Sequence, residues 1–308
     1  PWSSAWRAAQ QIQCSQGGWL AAAPHPLGSF EWKPRPIGTL AFESFTGRGP
    51  GGNEVIWDAN AAYLHALGWW LTGDRRHAQV AIGILNAWAR TLHTVSGVNQ
   101  KILHVARFAG LFCYAAELLK HGDSGWGEAE LAHFKAWTLE VLYPVIKDFA
   151  RSDRTNGNWD ANCILSMIAI AVFNDDSAIY ARALGYFRRG SGNGSLSKYV
   201  YADGTTQETT RDQDHEQMGV GALVYVAEIA WHQGDDLYAE LDNRLLAGAE
   251  GTAKRCLEQG FRPARAYPFW DVVLNHYHNR RGLPAPQVRA MAERVRLGEC
   301  RAVRTSMA

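Results

Sequence analysis

Arg211 and His215 stand four residues apart in the polar run Gln207-Glu208-Thr209-Thr210-Arg211-Asp212-Gln213-Asp214-His215-Glu216. The run leads straight into an apolar stretch from Met218 to Trp231. If it opens a helix, a spacing of four puts both side chains on one face. A permanent cation beside an imidazole is a pair suited to holding an anion and moving a proton. Such a pair is also common on a plain solvated helix face. Ten polar residues entering a buried helix, however, cost free energy unless they find partners or face a cleft.

Two further polar runs carry chemistry-bearing residues. Arg151-Ser152-Asp153-Arg154-Thr155-Asn156-Gly157-Asn158-Trp159-Asp160-Ala161-Asn162 lies just before the apolar stretch Cys163–Phe173. Asn-Gly is a turn signal. An Asn amide at a helix start also meets the positive end of the helix dipole, where a carboxylate can bind. Near the C-terminus, Asn275, His276, Tyr277, His278 and Arg280 crowd the end of one helix pattern. Basic residues there complement the dipole. That accounts for Arg280 and Arg281, but not for a phenol between two imidazoles.

Asn, Arg, His and Tyr, with no GxSxG elbow and no glycine-rich phosphate loop, suit β-elimination from a uronic acid polymer. The proton on C5 is a poor acid, because its removal places charge beside an existing carboxylate. An Asn, an Arg or a protonated His must neutralise that carboxylate. A His or a Tyr then takes the proton, and a Tyr can protonate the departing C4 oxygen. A base on one helix and an acid on a distant one would flank the sugar, as elimination between opposite ring faces requires. No cofactor and no metal is called for when side chains do the neutralising.

The elements that must hold these residues are helical almost throughout. Helical patterns cover Asp58–Leu71, Asp74–Leu92, Leu103–Lys120, Glu128–Ala150, Asn158–Phe173, Ser177–Arg188, Asp214–Trp231, Asp235–Arg255, Pro268–Arg281 and Pro286–Leu297, with a short amphipathic helix over residues 1–14. Short turns make successive helices antiparallel. A recurring connection, in which Asp74, Ser177 or Asp235 caps a helix after an apolar helix end, predicts stacked helix pairs. The stretch Gly190–Thr206 allows a short strand or hairpin. Residues 16–53 hold Pro24, Pro26, Pro34 and Pro36, which predicts an irregular segment. Within it Trp19, Glu31, Trp32, Arg35 and Arg48 are candidates for a cleft wall.

Composition narrows the classes. The 308 residues are 47% hydrophobic and 20% charged, enough for a sizeable core in a single domain spanning residues 1–308. A net charge of +1 gives no reason to expect nucleic acid or a membrane surface as partner. No uninterrupted apolar run reaches the ~20 residues of a membrane span. Five cysteines without CxxC spacing argue against structural zinc. Cys113 and Cys163 read as buried thiols, and Cys14 and Cys300 are open to pairing. The 13 Trp serve mainly helix packing, with sugar platforms as the functional alternative. No signal-peptide pattern opens the sequence at Pro1.

The stretches GRGPGGNEVIWDANAAYLHALGWWLTGD, AIGILNAWARTL, TNGNWDAN, RDQDHEQMGVGALVYVAEIAWHQGDDLY and FWDVVLNHYHNRRG resemble the alginate-lyase-type polysaccharide lyases over residues 46–283. The resemblance implies an all-α, (α/α) toroid fold and eliminative cleavage of an anionic polysaccharide. Carried onto this chain it implies Asn158 or Asn156 with Arg211 neutralising the carboxylate, His215 as the base candidate and Tyr277 as the proton donor, with Trp159, His276, Arg280 and Arg48 in the substrate-binding set. Alginate and glucuronan both stay open, since Gly157 and Asn158 stand where better-known alginate lyases carry a His. A secreted or periplasmic location follows from such a substrate, while oligomeric state stays open. Two alternatives remain: an inverting glycosidase using carboxylates among Asp58, Glu208, Asp212, Asp214 and Glu216, or a non-catalytic helical-repeat carbohydrate-binding protein.

Overall fold

The computed structural model describes residues 26–42, 49–149, 155–260 and 268–306, with side chains up to residue 296. Arg48, the 1–14 helix, Trp19, Cys14 and Cys300 fall outside the described residues or side chains. The chain divides into two compact units, residues 1–146 with 169–176, and residues 147–168 with 177–308. Both are helical, as the patterns predict.

In the first unit α1 (Gly52–Thr72) packs on α2 (Arg75–Thr91) and α3 (Gln100–Lys120). α1 begins six residues before the predicted start, because Gly51 adopts a left-handed φ of 77° and turns the chain into the helix. Asp74 caps α2 as expected, its carboxylate accepting from the Arg76 amide at 3.0 Å. α3 is apolar along most of its length, and 72% of its most hydrophobic window is buried, which marks a core helix. α4 (Glu128–Trp137) runs through a π turn, Thr138–Leu142, into Tyr143–Ile146. Trp88, Phe108, Phe112, Phe134 and Phe173 form the aromatic core. The irregular N-terminal segment holds one strand that the sequence pattern does not announce. β1 (Thr39–Phe42) pairs in parallel with β2 (Thr94–Gly97), in the register Thr39 to Thr94.

Helix α5 (Gly157–Asn174) starts in the second unit and ends in the first. The second unit continues with α6 (Ser177–Arg189), α7 (Gln213–Gln233), α8 (Glu240–Glu258), α9 (Trp270–Val273, prolonged by a π turn Leu274–Arg280) and α10 (Pro286–Ser306). α8 packs against both α7 and α10. Asp235 does not cap α8. A left-handed turn at Leu241, Asp242 and Asn243 delays the regular helix, and Asp235 instead accepts from the Tyr180 hydroxyl at 2.9 Å. Between α6 and α7 the chain makes one helical turn, Leu196–Tyr199, then a single antiparallel bridge from Val200 to Thr206. The hairpin expectation is met by that bridge alone. Cys113, Cys163 and Cys256 are buried free thiols.

Candidate active site

The polar run before α7 is a turn held from below. Glu216, buried in the first turn of α7, accepts from Thr206 Oγ1 at 3.2 Å, from Thr209 Oγ1 at 2.8 Å and from Arg255 Nε at 3.1 Å. Arg255 also donates to the Gly204 carbonyl at 3.2 Å. One buried ion pair therefore ties both ends of the turn to α7 and α8. Beside it Tyr199 is fully buried, and its hydroxyl donates to the carbonyls of His215 and Glu216 at 3.2 and 3.3 Å. The ring lies so close to α7 that a Cβ on Gly219 would sit 1.9 Å from the hydroxyl. Only glycine fits there.

On this base the turn presents its functional groups. Asp212 caps α7, accepting from the His215 amide at 2.9 Å, and its Oδ2 lies 2.7 Å from His215 Nδ1. A proton on Nδ1 makes this a hydrogen bond to the carboxylate and leaves the Nε2 lone pair available as a base. Partial burial opposes ionisation of Asp212, but hydrogen bonds from the His215 amide and ring outweigh it and hold the carboxyl below its usual range. Arg211 is partly exposed and donates through Nη1 to Glu208 Oε2 at 3.3 Å. Glu208 is buried and accepts also from the Asn158 amide nitrogen. The first two polar runs thus meet at one carboxylate, fifty residues apart in sequence.

The meeting changes the role of Asn158. It is fully buried and its amide nitrogen belongs to Glu208, so it braces the carboxylate that holds Arg211 instead of reaching outward. Asn156 is half-buried, and its carbonyl accepts from the Trp159 amide at 3.1 Å. Trp159 stacks on Phe149 with ring centres 5.7 Å apart. Asp160 is buried under the 192–194 loop, accepts from the Gly194 amide at 3.2 Å, and is pushed up to about 7 by burial.

The third polar run does not join this group. Tyr277 is fully buried, and its hydroxyl donates to the Tyr238 carbonyl at 2.7 Å. His276, also buried, stacks on Tyr238 with ring centres 3.7 Å apart and meets Trp231 edge-on at 4.9 Å. Trp231 lies sixteen residues beyond His215 on α7, about 24 Å along the axis at ~1.5 Å per residue. A proton donor must reach its substrate, and the Tyr277 hydroxyl is both enclosed and engaged, so its assignment as the acid is corrected. Burial holds the His276 imidazole down to about 4, keeping it a neutral core group. Arg280 lies 3.9 Å from Glu228, which also accepts from the Tyr238 hydroxyl at 2.7 Å. This end of α7 is a packed aromatic and ionic cluster.

Four of the five carboxylates of the glycosidase alternative are already engaged. Glu208, Asp212 and Glu216 are engaged as described. Asp58 is fully buried and accepts from Trp32 Nε1, the Arg35 amide and Trp88 Nε1 at 2.8–2.9 Å. Among the described residues no group of three His, Cys, Asp or Glu could hold a metal ion. Sequence reasoning named Glu208 and Asp212 only as carboxylates of the glycosidase alternative and missed them as the partners of Arg211 and His215. Asp212 had a signal, an Asp three residues before a His at a helix start. Glu208 had none beyond its place in the run.

A family model for alginate lyases matches residues 48–259. No curated protein matches the chain. Solved structures resemble it in fold. An alginate lyase from Bacteroides ovatus is 13% identical with a TM-score of 0.68, covering 95% of this chain and 94% of that one. Alginate lyase A1-III from Sphingomonas species A1 is 17% identical with a TM-score of 0.67, covering 92% and 88%. An A1-III variant with a histidine replaced by alanine, complexed with a tetrasaccharide, is 17% identical with a TM-score of 0.69, covering 90% and 86%. The fold class is the (α/α) toroid.

Proposed function

The chain belongs to the alginate lyase family and is a polysaccharide lyase, and on that footing we propose that it cleaves a mannuronate or glucuronate polymer by syn β-elimination. The observation that carries the reading is His215 with its Nδ1 engaged by Asp212, at the end of the same turn whose Arg211 is held by buried Glu208. Arg211 binds the uronate carboxylate and stabilises the charge that builds on it in the transition state. His215 Nε2 takes the C5 proton, and the C–H electron pair becomes the C4–C5 double bond. The C4–O bond breaks, and the protonated imidazole returns its proton to the departing oxygen. Asp212 keeps the ring oriented and stabilises its cationic form, while Glu208 and Asn158 fix the guanidinium.

The choice of polymer rests on stereochemistry. Mannuronate and glucuronate differ at C2 and share their C4 and C5 configurations, with H5 and O4 on one ring face. A single imidazole then serves as both base and acid. In guluronate the two lie on opposite faces and a second group is needed. The buried Tyr277 supplies none. Relatives are consistent with a saccharide ligand: A1-III variants, one with a histidine replaced and one with a tyrosine replaced, were complexed with a tetrasaccharide. A secreted or periplasmic site of action accords with a polymer that cannot enter the cell.

The test is a panel of polymannuronate, polyguluronate, glucuronan and glycosaminoglycans followed by ultraviolet absorbance, which the new double bond produces. The reading expects product from polymannuronate or glucuronan, and loss of about 10²–10⁴-fold in His215→Ala. Activity on polyguluronate alone would sink the one-face mechanism. New reducing ends without absorbance would indicate a hydrolase.

A further inference from the structure

The mechanism leaves the N-terminal segment unused. Around it, the described residues outline a concavity of about 460 Å³ lined by Pro26, Ser29, Glu31, Trp32, Lys33 and Arg35. That is within the ~300–1,000 Å³ range of small-ligand clefts. Its wall is pre-set by buried Asp58, which accepts from Trp32 Nε1 at 2.9 Å and from the Arg35 amide at 2.8 Å. Pro34 and Pro36 fix φ on either side of Arg35. The backbone is thus held while the side chains of Lys33 and Arg35 stay exposed.

Neither cation pairs with a carboxylate among the described residues. Arg35 instead lies over Trp57, 5.3 Å from the ring centre, and Trp57 is 42% exposed. Two cations two residues apart repel each other, and the whole chain carries a net charge of only +1, so this is a local concentration. An exposed indole, two cations without a carboxylate partner among the described residues and one acceptor, Glu31, match an acidic sugar. The indole meets the C–H face of the ring, the cations its carboxylate, and Glu31 a hydroxyl.

We propose that Lys33, Arg35 and Trp57 form a further uronate-binding site, on the first unit, that holds the same polymer. The proposal rests on the uronate reading above. The full chain is tested as Lys33→Ala/Arg35→Ala, Trp57→Ala and Arg35→Lys, with KM and kcat on whichever uronate polymer the wild type cleaves, at low and high salt. The double variant raises KM about tenfold at low salt, and the difference shrinks at high salt, as exposed ion pairs are screened. Trp57→Ala raises KM about threefold at both salts, since stacking is not screened. Arg35→Lys retains most of the wild-type KM, and all variants melt with the wild type because their side chains are exposed. Unchanged KM in both alanine variants of an active enzyme overturns the proposal. A wild type that yields no unsaturated product from any uronate polymer overturns instead the reading on which it rests.

Discussion

Glu208→Gln isolates the carboxylate on which Asn158 and Arg211 converge. The substitution keeps volume and removes charge. If the new amide oxygen accepts from Asn158, the amide nitrogen faces Arg211 Nη1, which now sits 3.3 Å from an oxygen. Two donors then confront each other in a site that is 1% exposed at Glu208. A buried unpaired donor costs about 1–3 kcal/mol. Loss of the Arg211 pair adds less than the usual value for a charged hydrogen bond, since that guanidinium is over a third exposed and turns to water. The sum is about 2 kcal/mol, or for 308 residues a melting temperature lower by roughly 3 °C. Release of Arg211 from its brace lowers kcat/KM for uronate polymers about tenfold. The assay is a thermal melt alongside initial rates by ultraviolet absorbance. A variant that melts and turns over like the wild type refutes the bracing role, whereas a stability loss without a rate loss makes Glu208 purely structural.

Other outcomes follow from the separation of the two ends of α7. Tyr277→Phe removes one buried hydrogen bond, so stability falls by about 1 kcal/mol while turnover stays near wild type. A hundredfold drop in turnover would return Tyr277 to the mechanism. Stability should also depend on pH in opposite senses at two buried groups. His276 protonates near 6.5 when unfolded but at about 4 when folded, so its neutral fit is lost as pH falls through that window, at ~1.4 kcal/mol per pH unit. Asp160 behaves inversely: its folded pKa of about 7 lies above the unfolded 3.8, so its contribution declines as pH rises between them. Urea midpoints against pH for His276→Leu and Asp160→Asn check both signs. Slopes identical to wild type would contradict the burial argument.

Much of the fold was legible because it is local. Helix periodicity located ten helices, and Asp74 announced its cap. Arg211 and His215 read as neighbours on one helix face, but α7 begins at Gln213 after its extended cap Asp212, so Arg211 stands in the turn before the helix and is placed by Glu208 instead. What escaped depends on contacts across long stretches of chain. Nothing near Asn158 reveals that its amide is taken by Glu208, and nothing near Thr39 reveals a partner at Thr94. The error at Tyr277 has a different origin. Its neighbours His276 and Arg280 look like a site in one dimension, but a π turn directs His276 and Tyr277 into the aromatic packing around Tyr238. Polar residues at a helix end are ambiguous until burial is known. Asp58, which the sequence groups with possible catalytic carboxylates, instead anchors the described part of the irregular N-terminal segment.

The central claim is that this chain breaks a uronate polymer by elimination with His215 as the only proton carrier. The measurement that meets it most directly is mass analysis of oligosaccharides released from polymannuronate and glucuronan in heavy-oxygen water. Elimination predicts new non-reducing ends lighter by one water, no heavy oxygen fixed by bond cleavage, and such ends formed about 10²–10⁴-fold more slowly with His215→Ala. Saturated non-reducing ends with heavy oxygen at the new reducing ends, or unsaturated ends formed at full rate by His215→Ala, would contradict it.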